Sequence, residues 1–129
     1  MILIQLLKDK FGVEVLVSDE HLEIFNPDAE ALWLPMINSI LVSSDLANDV
    51  STIGHEAIHV IQEYRSDLFG TITNKMYEVL GYQEVSRIKG LVSSHYDESR
   101  LNLEMQSYCW EKWYQLDNNA ALDWLTNLI

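Results

Sequence analysis

Across residues 48–65 the apolar side chains Val50, Ile53, Ala57, Ile58, Ile61 and Tyr64 fall on one broad face at helical spacing, with Asn48 or Asp49 placed to cap the first turn. This run specifies an amphipathic helix in the middle of the chain, and the rest must supply surfaces for it to bury against. Before it the patterns are short. A helix-like stretch carrying Ile2, Leu3, Leu6, Leu7 and Phe11 stops at Gly12, and Val13, Val15 and Val17 then alternate in strand fashion. Residues 21–25 alternate again up to the Asn26-Pro27-Asp28 turn, which suggests a hairpin, and residues 33–35 with 38–43 read as a third strand-like run. After the central helix the period is helical throughout. One helix is expected over residues 73–89, ended by Gly90, and another from Ser94 or Asp97 to about Leu116 with Leu101, Met105, Tyr108, Cys109 and Leu116 facing inward. A last short helix covers residues 121–128. Strands early and helices late predict an α+β fold, a short antiparallel or mixed sheet packed on the central helix with a helical C-terminal half. No Gly/Ser-rich linker divides the 129 residues, so one domain over 1–129 is expected. Gly54 costs the central helix about 1 kcal/mol relative to Ala, which predicts close approach of another backbone there.

Eight Lys and Arg against twenty Asp and Glu leave a net charge of −12. Such a potential repels phosphate backbones and anionic headgroups, so nucleic acid and membrane are excluded as expected partners and a neutral or basic polypeptide fits better. The single cysteine, Cys109, cannot form an internal disulfide and has no basic neighbour to activate it, so inert burial in a reducing cytoplasm is expected. Residues 1–7 are apolar but lack a preceding basic stretch and a cleavage site, and no run approaches the ~20 apolar residues of a membrane span.

The central helix contains His55-Glu56-Ala57-Ile58-His59, an H-E-x-x-H pattern. Four residues advance a helix by 400°, leaving the two imidazoles about 40° apart and one turn up, where both can reach one tetrahedral zinc ion. Glu56 is displaced by one position, suited to take a proton from a zinc-held water rather than to ligate. A catalytic zinc site takes a third protein ligand. Position 62 is Gln62 and position 65 is Arg65, so the metzincin spacing is absent. The other histidines are His21 and His95, and the late helix offers Glu98, Glu104 and Glu111, of which Glu is the better ligand type here. Glu98, beside Asp97 at a helix start, fits a capping role.

The pair of motifs, His55-Glu56-x-x-His59 and, 45 residues on, Leu103-Glu104-Met-Gln-Ser107-Tyr108, resembles the gluzincin type of zinc metallopeptidase. Compact members such as the ImmA/IrrE-like peptidases and phage-borne relatives are nearest in size and layout. The resemblance implies a zincin-like fold, Zn2+ as cofactor, peptide-bond hydrolysis with Glu56 as general base, Glu104 as third ligand, and Ser107 as the small residue that lets the two ligand-bearing helices approach. It also implies that residues 38–43 form the edge strand that takes an extended substrate. The departure is Tyr108, where the family carries Asp or Asn to orient a ligand imidazole. Tyr64, His95 and Tyr96 are further candidates to assist in the transition state, and Glu111 and Tyr108 to support the ligands. Trp110, Trp113 and Trp124 read as core. Two other classes share the sequence: a zinc-binding module without turnover, and an acidic interaction domain in which the motif is accidental.

Overall fold

The computed structural model describes residues 1–129. The first helix, α1 (Ile2–Phe11), ends at Gly12, whose left-handed backbone (φ 67°) turns its own N–H and that of Val13 back onto the carbonyls of Lys8 and Leu7. The chain then enters β1 (Glu14–Val17). Two more strands follow, β2 (Ala31–Leu34) and β3 (Ser39–Val42), in the order β1-β3-β2. β1 runs parallel to β3, with Glu14 opposite Ser39 and Val17 opposite Val42; β2 runs antiparallel to it, with Ala31 opposite Val42 and Leu34 opposite Ser39. A mixed three-stranded sheet is therefore present, as the alternation suggested, but its wiring differs. Residues 33–43 hold two strands, not one run, because Pro35 starts a single 3-10 turn that Asn38 closes in the left-handed region (φ 50°). The Asn38 amide donates to the carbonyls of Phe11 and Gly12, 3.1 Å each, pinning the hairpin to the end of α1.

Residues 21–25 are not a strand. They belong to α2 (Asp19–Phe25), where the Ser18 hydroxyl accepts from the His21 N–H and Asp19 and Glu20 occupy the first turn. Only Leu22 of this segment is buried, so the five-residue alternation had no sheet face to satisfy, and local capping decided the outcome.

The motif helix is α3 (Val50–Tyr64), within a residue or two of expectation, and it packs beneath β2 and β3 with Ile53, Ala57, Ile58, Val60 and Ile61 fully enclosed. Each such Ile contributes roughly 1.5–3 kcal/mol by leaving water. The expected helix over 73–89 is two, α4 (Phe69–Leu80) and α5 (Tyr82–Ser93), broken at Gly81 (φ 82°) rather than ended at Gly90, which lies inside α5. Both periods are helical, and only the positive φ at Gly81 separates them. α6 (Glu98–Leu116) follows its N-cap Asp97, and α7 (Asn118–Leu128) starts where the Asp117 carboxylate accepts from the Ala120 N–H. Leu116, expected inside, is 65% exposed because α6 has already passed the core at its last turn. Trp110 and Trp113 are buried and Trp124 packs against the same core. The close approach at Gly54 is made by the Trp110 indole and not by a backbone. No helix is long and apolar enough to cross a membrane.

Candidate metal centre

α3 divides its surface between two duties. Its apolar stripe enters the core, while His55, Glu56 and His59 sit on the flank that faces β2 and α6, each nearly buried. α6 brings Glu104 to meet them. Glu104 Oε1 lies 3.2 Å from His55 Nε2 and 3.0 Å from His59 Nε2, and one ligand atom from each of the three residues falls within 4.8 Å of the others. Two contacts set this spacing. Trp110 of α6 lies directly over Gly54, and the Ser107 hydroxyl donates to the His55 carbonyl at 3.0 Å. Ser107 thus has the close-packing role expected of it. The second oxygen of Glu104 accepts from Arg100, one turn earlier on α6, at 3.1 Å.

Burying a carboxylate costs several kcal/mol unless it is paired, and Glu104 is only 3% exposed. Burial alone would raise its pKa, but the two imidazoles hold it well below the usual carboxylate range. Burial disfavours a charged His55, yet its contacts with Glu104 and Glu111 and the nearby Glu56 outweigh this and push it up to about 10. Glu56 is raised, chiefly by burial and also by Glu104, against the pull of both imidazoles and of the Trp33 N–H. Three carboxylates converging on two imidazoles make a site that demands positive charge.

That demand and the donor set fit a divalent metal ion. In a tetrahedral site with ligand bonds of about 2.0–2.1 Å, ligand atoms lie roughly 3.3–3.4 Å apart; the two Nε2–Oε1 distances of 3.2 and 3.0 Å are close to that edge. His55, His59 and Glu104 can therefore hold a metal ion, with Oε1 as a single ligand oxygen while Arg100 occupies Oε2.

The site opens into a cleft of about 1390 Å³ lined by β2, α5 and α6. Tyr108 stands on its wall with its ring edge against His55, centroids 4.7 Å apart, and its hydroxyl 3.2 Å from that of Tyr96. Burial first, then Tyr96 and the carboxylates of Glu104 and Glu111, raise the Tyr108 pKa, so it stays a neutral phenol. Glu111 brings Oε1 within 3.0 Å of His55 Nδ1, but without the alignment of a hydrogen bond, and Nδ1 is otherwise unpaired. His95 lies on the rim, exposed. Tyr64 does not reach the cleft: it is 46% exposed, stacks on Phe11 with centroids 5.1 Å apart, and donates its hydroxyl to Asn38. Its position on α3 turns it toward the α1 end of the sheet. Glu98 is exposed at the start of α6, away from the ligand cluster. Cys109 is buried, and desolvation followed by the Glu84 charge pushes its thiol to about 12.

The strand beside the cleft is β2. β3, expected at the edge, is the central strand and is paired on both sides, while β2 is bonded only to β3 and residues 31–34 line the opening. Two neighbours of the ligands carry no motif of their own. Gln62 Oε1 lies 2.8 Å from His59 Nδ1, and Arg100 holds Glu104. Only their i,i+3 and i,i+4 spacing from a ligand points to them in the sequence. Compared with protein-family models, curated proteins and solved structures, the chain matches none.

Proposed function

We propose that this chain is a zinc metallopeptidase of the gluzincin type, with His55, His59 and Glu104 as ligands and Glu56 as general base. The observation that carries the reading is the convergence of both motif imidazoles on one buried oxygen of Glu104. When bound, zinc supplies a Lewis acid and lowers the pKa of an attached water to about 7. Glu56 adjoins the ligand set at the floor of the cleft. Its carboxyl is raised from the ordinary range, which brings it closer to the working pH, where a group both takes and returns a proton efficiently. It accepts the water proton at its carboxylate and passes it to the leaving amine. Tyr108, kept neutral and backed by Tyr96, offers a donor on the wall of the same cleft.

The free edge of β2 supports an extended polypeptide as substrate, added as a further strand by main-chain hydrogen bonds. The net charge of −12 favours neutral or basic sequences, although the cleft lining carries both signs, with Asp28, Glu30 and Glu63 beside Arg87, Arg100 and Lys112. The test is hydrolysis of a quenched-fluorescent peptide library by zinc-loaded wild type and Glu56→Gln. The variant should bind zinc one to one and lose at least about 100-fold in rate, the usual worth of a general base. Equal rates would remove Glu56 from the mechanism, and a zinc-loaded wild type that cleaves nothing would favour a binding module.

A further inference from the structure

Behind the ligands lies a chain of side-chain amides that the reaction does not consume. Gln62 Oε1 faces His59 Nδ1 at 2.8 Å. Gln62 Nε2 is 3.0 Å from the Leu103 carbonyl and 2.8 Å from Gln106 Oε1. Gln106, fully buried, places Nε2 2.8 Å from both the Phe69 carbonyl and the Thr73 hydroxyl of α4. α3, α4 and α6 are tied together through these two residues.

The direction of every bond in the chain is forced from its far end. A backbone carbonyl only accepts, so the Gln106 group facing Phe69 must be the NH2. Its oxygen therefore faces Gln62. The Leu103 carbonyl and that oxygen both require a donor, so Gln62 presents its own NH2 to them and its oxygen to the imidazole. An amide oxygen only accepts, so His59 Nδ1 must carry the proton. Two fixed carbonyls thus settle amide orientations and a ring tautomer that are otherwise matters of assignment.

We propose that Gln62, locked by Gln106, is the positioning residue of the metal centre. The pair commits His59 to the Nδ1–H form and reserves Nε2 for the metal. The proposal rests on the metal-centre reading for its purpose but not for its geometry. Between Nε2 and Glu104 Oε1, 3.0 Å apart, a proton or a cation must then lie, since two lone pairs cannot face each other there. A ligand-orienting partner is worth about 10–100-fold in metal affinity. Gln62 is neutral, so it orients the ring without adding a further negative charge to three carboxylates already present.

The experiment has one arm that needs no zinc. In metal-free wild type, 15N-resolved imidazole spectra should show His59 protonated at Nδ1, with that proton protected from exchange and lost from protection in Gln62→Met. In the second arm, zinc affinity is measured by chelator competition on variants whose far-ultraviolet circular dichroism matches wild type. Gln62→Met should bind about 10–100-fold more weakly. Gln62→Glu keeps an oxygen toward Nδ1 but sets a carboxylate against the Leu103 carbonyl and Gln106 Oε1, so its zinc affinity should fall between wild type and Gln62→Met; a residue that only ties the helices together would be hurt at least as much by Glu as by Met. A bare Nδ1 in wild type, or equal zinc affinity in Gln62→Met, overturns the proposal. Failure of zinc to bind wild type refutes the metal reading, while the Nδ1–H signal still decides the relay.

Discussion

Replacing Gly54 with Ala tests what holds the two ligand-bearing helices at their separation. A Cβ at this position would lie 2.2 Å from both Cζ3 and Cη2 of Trp110 and 3.1 Å from Cε3. Carbon atoms rest about 3.5–4.0 Å apart, so the ring or the helix must retreat by roughly 1.5 Å. The indole has little room to turn. It is fully buried, stacks on Tyr114 with centroids 5.3 Å apart, and donates Nε1–H to the Ala121 carbonyl at 3.1 Å. α6 must therefore move, which stretches the Ser107 bond to the His55 carbonyl and draws Glu104 away from the imidazoles. Ala itself favours the helix by about 1 kcal/mol, whereas overpacking a filled core costs typically 1–3 kcal/mol and breaking the indole bond about 1 kcal/mol more. The expected net loss is about 1–3 kcal/mol, or a fall in Tm of roughly 4–10 °C for a domain of this size. Urea unfolding of the metal-free protein should show a lower midpoint at unchanged slope, and zinc affinity should fall with it. In the Gly54→Ala background, Trp110→Leu should cost less than it does in wild type, the sign of a shared clash. A Gly54→Ala protein as stable as wild type would refute the reasoning, since it would mean that the interface absorbs a methyl group where the geometry leaves none.

In metal-free protein His55 titrates at about 10 instead of 6.5, because its carboxylate neighbours outweigh its burial. A value raised by folding stabilises fully below pH 6.5 and is lost as the pH climbs through about 10. The unfolding free energy of the metal-free protein, read from urea curves, should thus fall across that window by on the order of a few kcal/mol, with a lower midpoint at the high-pH end. Zinc-loaded protein, in which the ring proton is already displaced, should lack the fall. Cys109, enclosed and raised to about 12, should resist iodoacetamide at pH 8 while the protein is folded and react once it is unfolded in urea. Rapid alkylation of the native protein would show that α6 opens locally.

The parts of the fold legible in the sequence are those written in long apolar periods. Ile53, Ala57, Ile58 and Ile61 define α3 without help from elsewhere, and the two histidines ride on that helix at a spacing with few other uses. Glu104 lies about 100° around α6 from Met105, in phase with Tyr108 and Glu111 rather than with the apolar stripe, so only its resemblance to a ligand motif picks it out. Short segments were less legible because local capping and pairing partners compete at similar energies. Residues 21–25 alternate, yet Ser18 and two acidic residues make them a helix. Gly81 and Gly90 look alike in the sequence, and only the backbone angle at Gly81 separates α4 from α5. The edge role moved from β3 to β2 because strand order depends on the parallel pairing of β1, which no local pattern encodes. Gln62 and Gln106 were hidden for a related reason: a buried amide network is a property of three packed helices, and each residue alone reads as an ordinary polar position.

The most direct test is metal content by native mass spectrometry on protein purified without chelator or affinity tag and then supplied with zinc at neutral pH, beside His59→Ala and Glu104→Ala. Convergence of His55, His59 and Glu104 on one ion requires one zinc per chain in wild type, none in His59→Ala, and a weakened or lost ion in Glu104→Ala. A wild type that takes up no zinc, or a Glu104→Ala protein that holds it as tightly as wild type, would contradict the three-ligand centre.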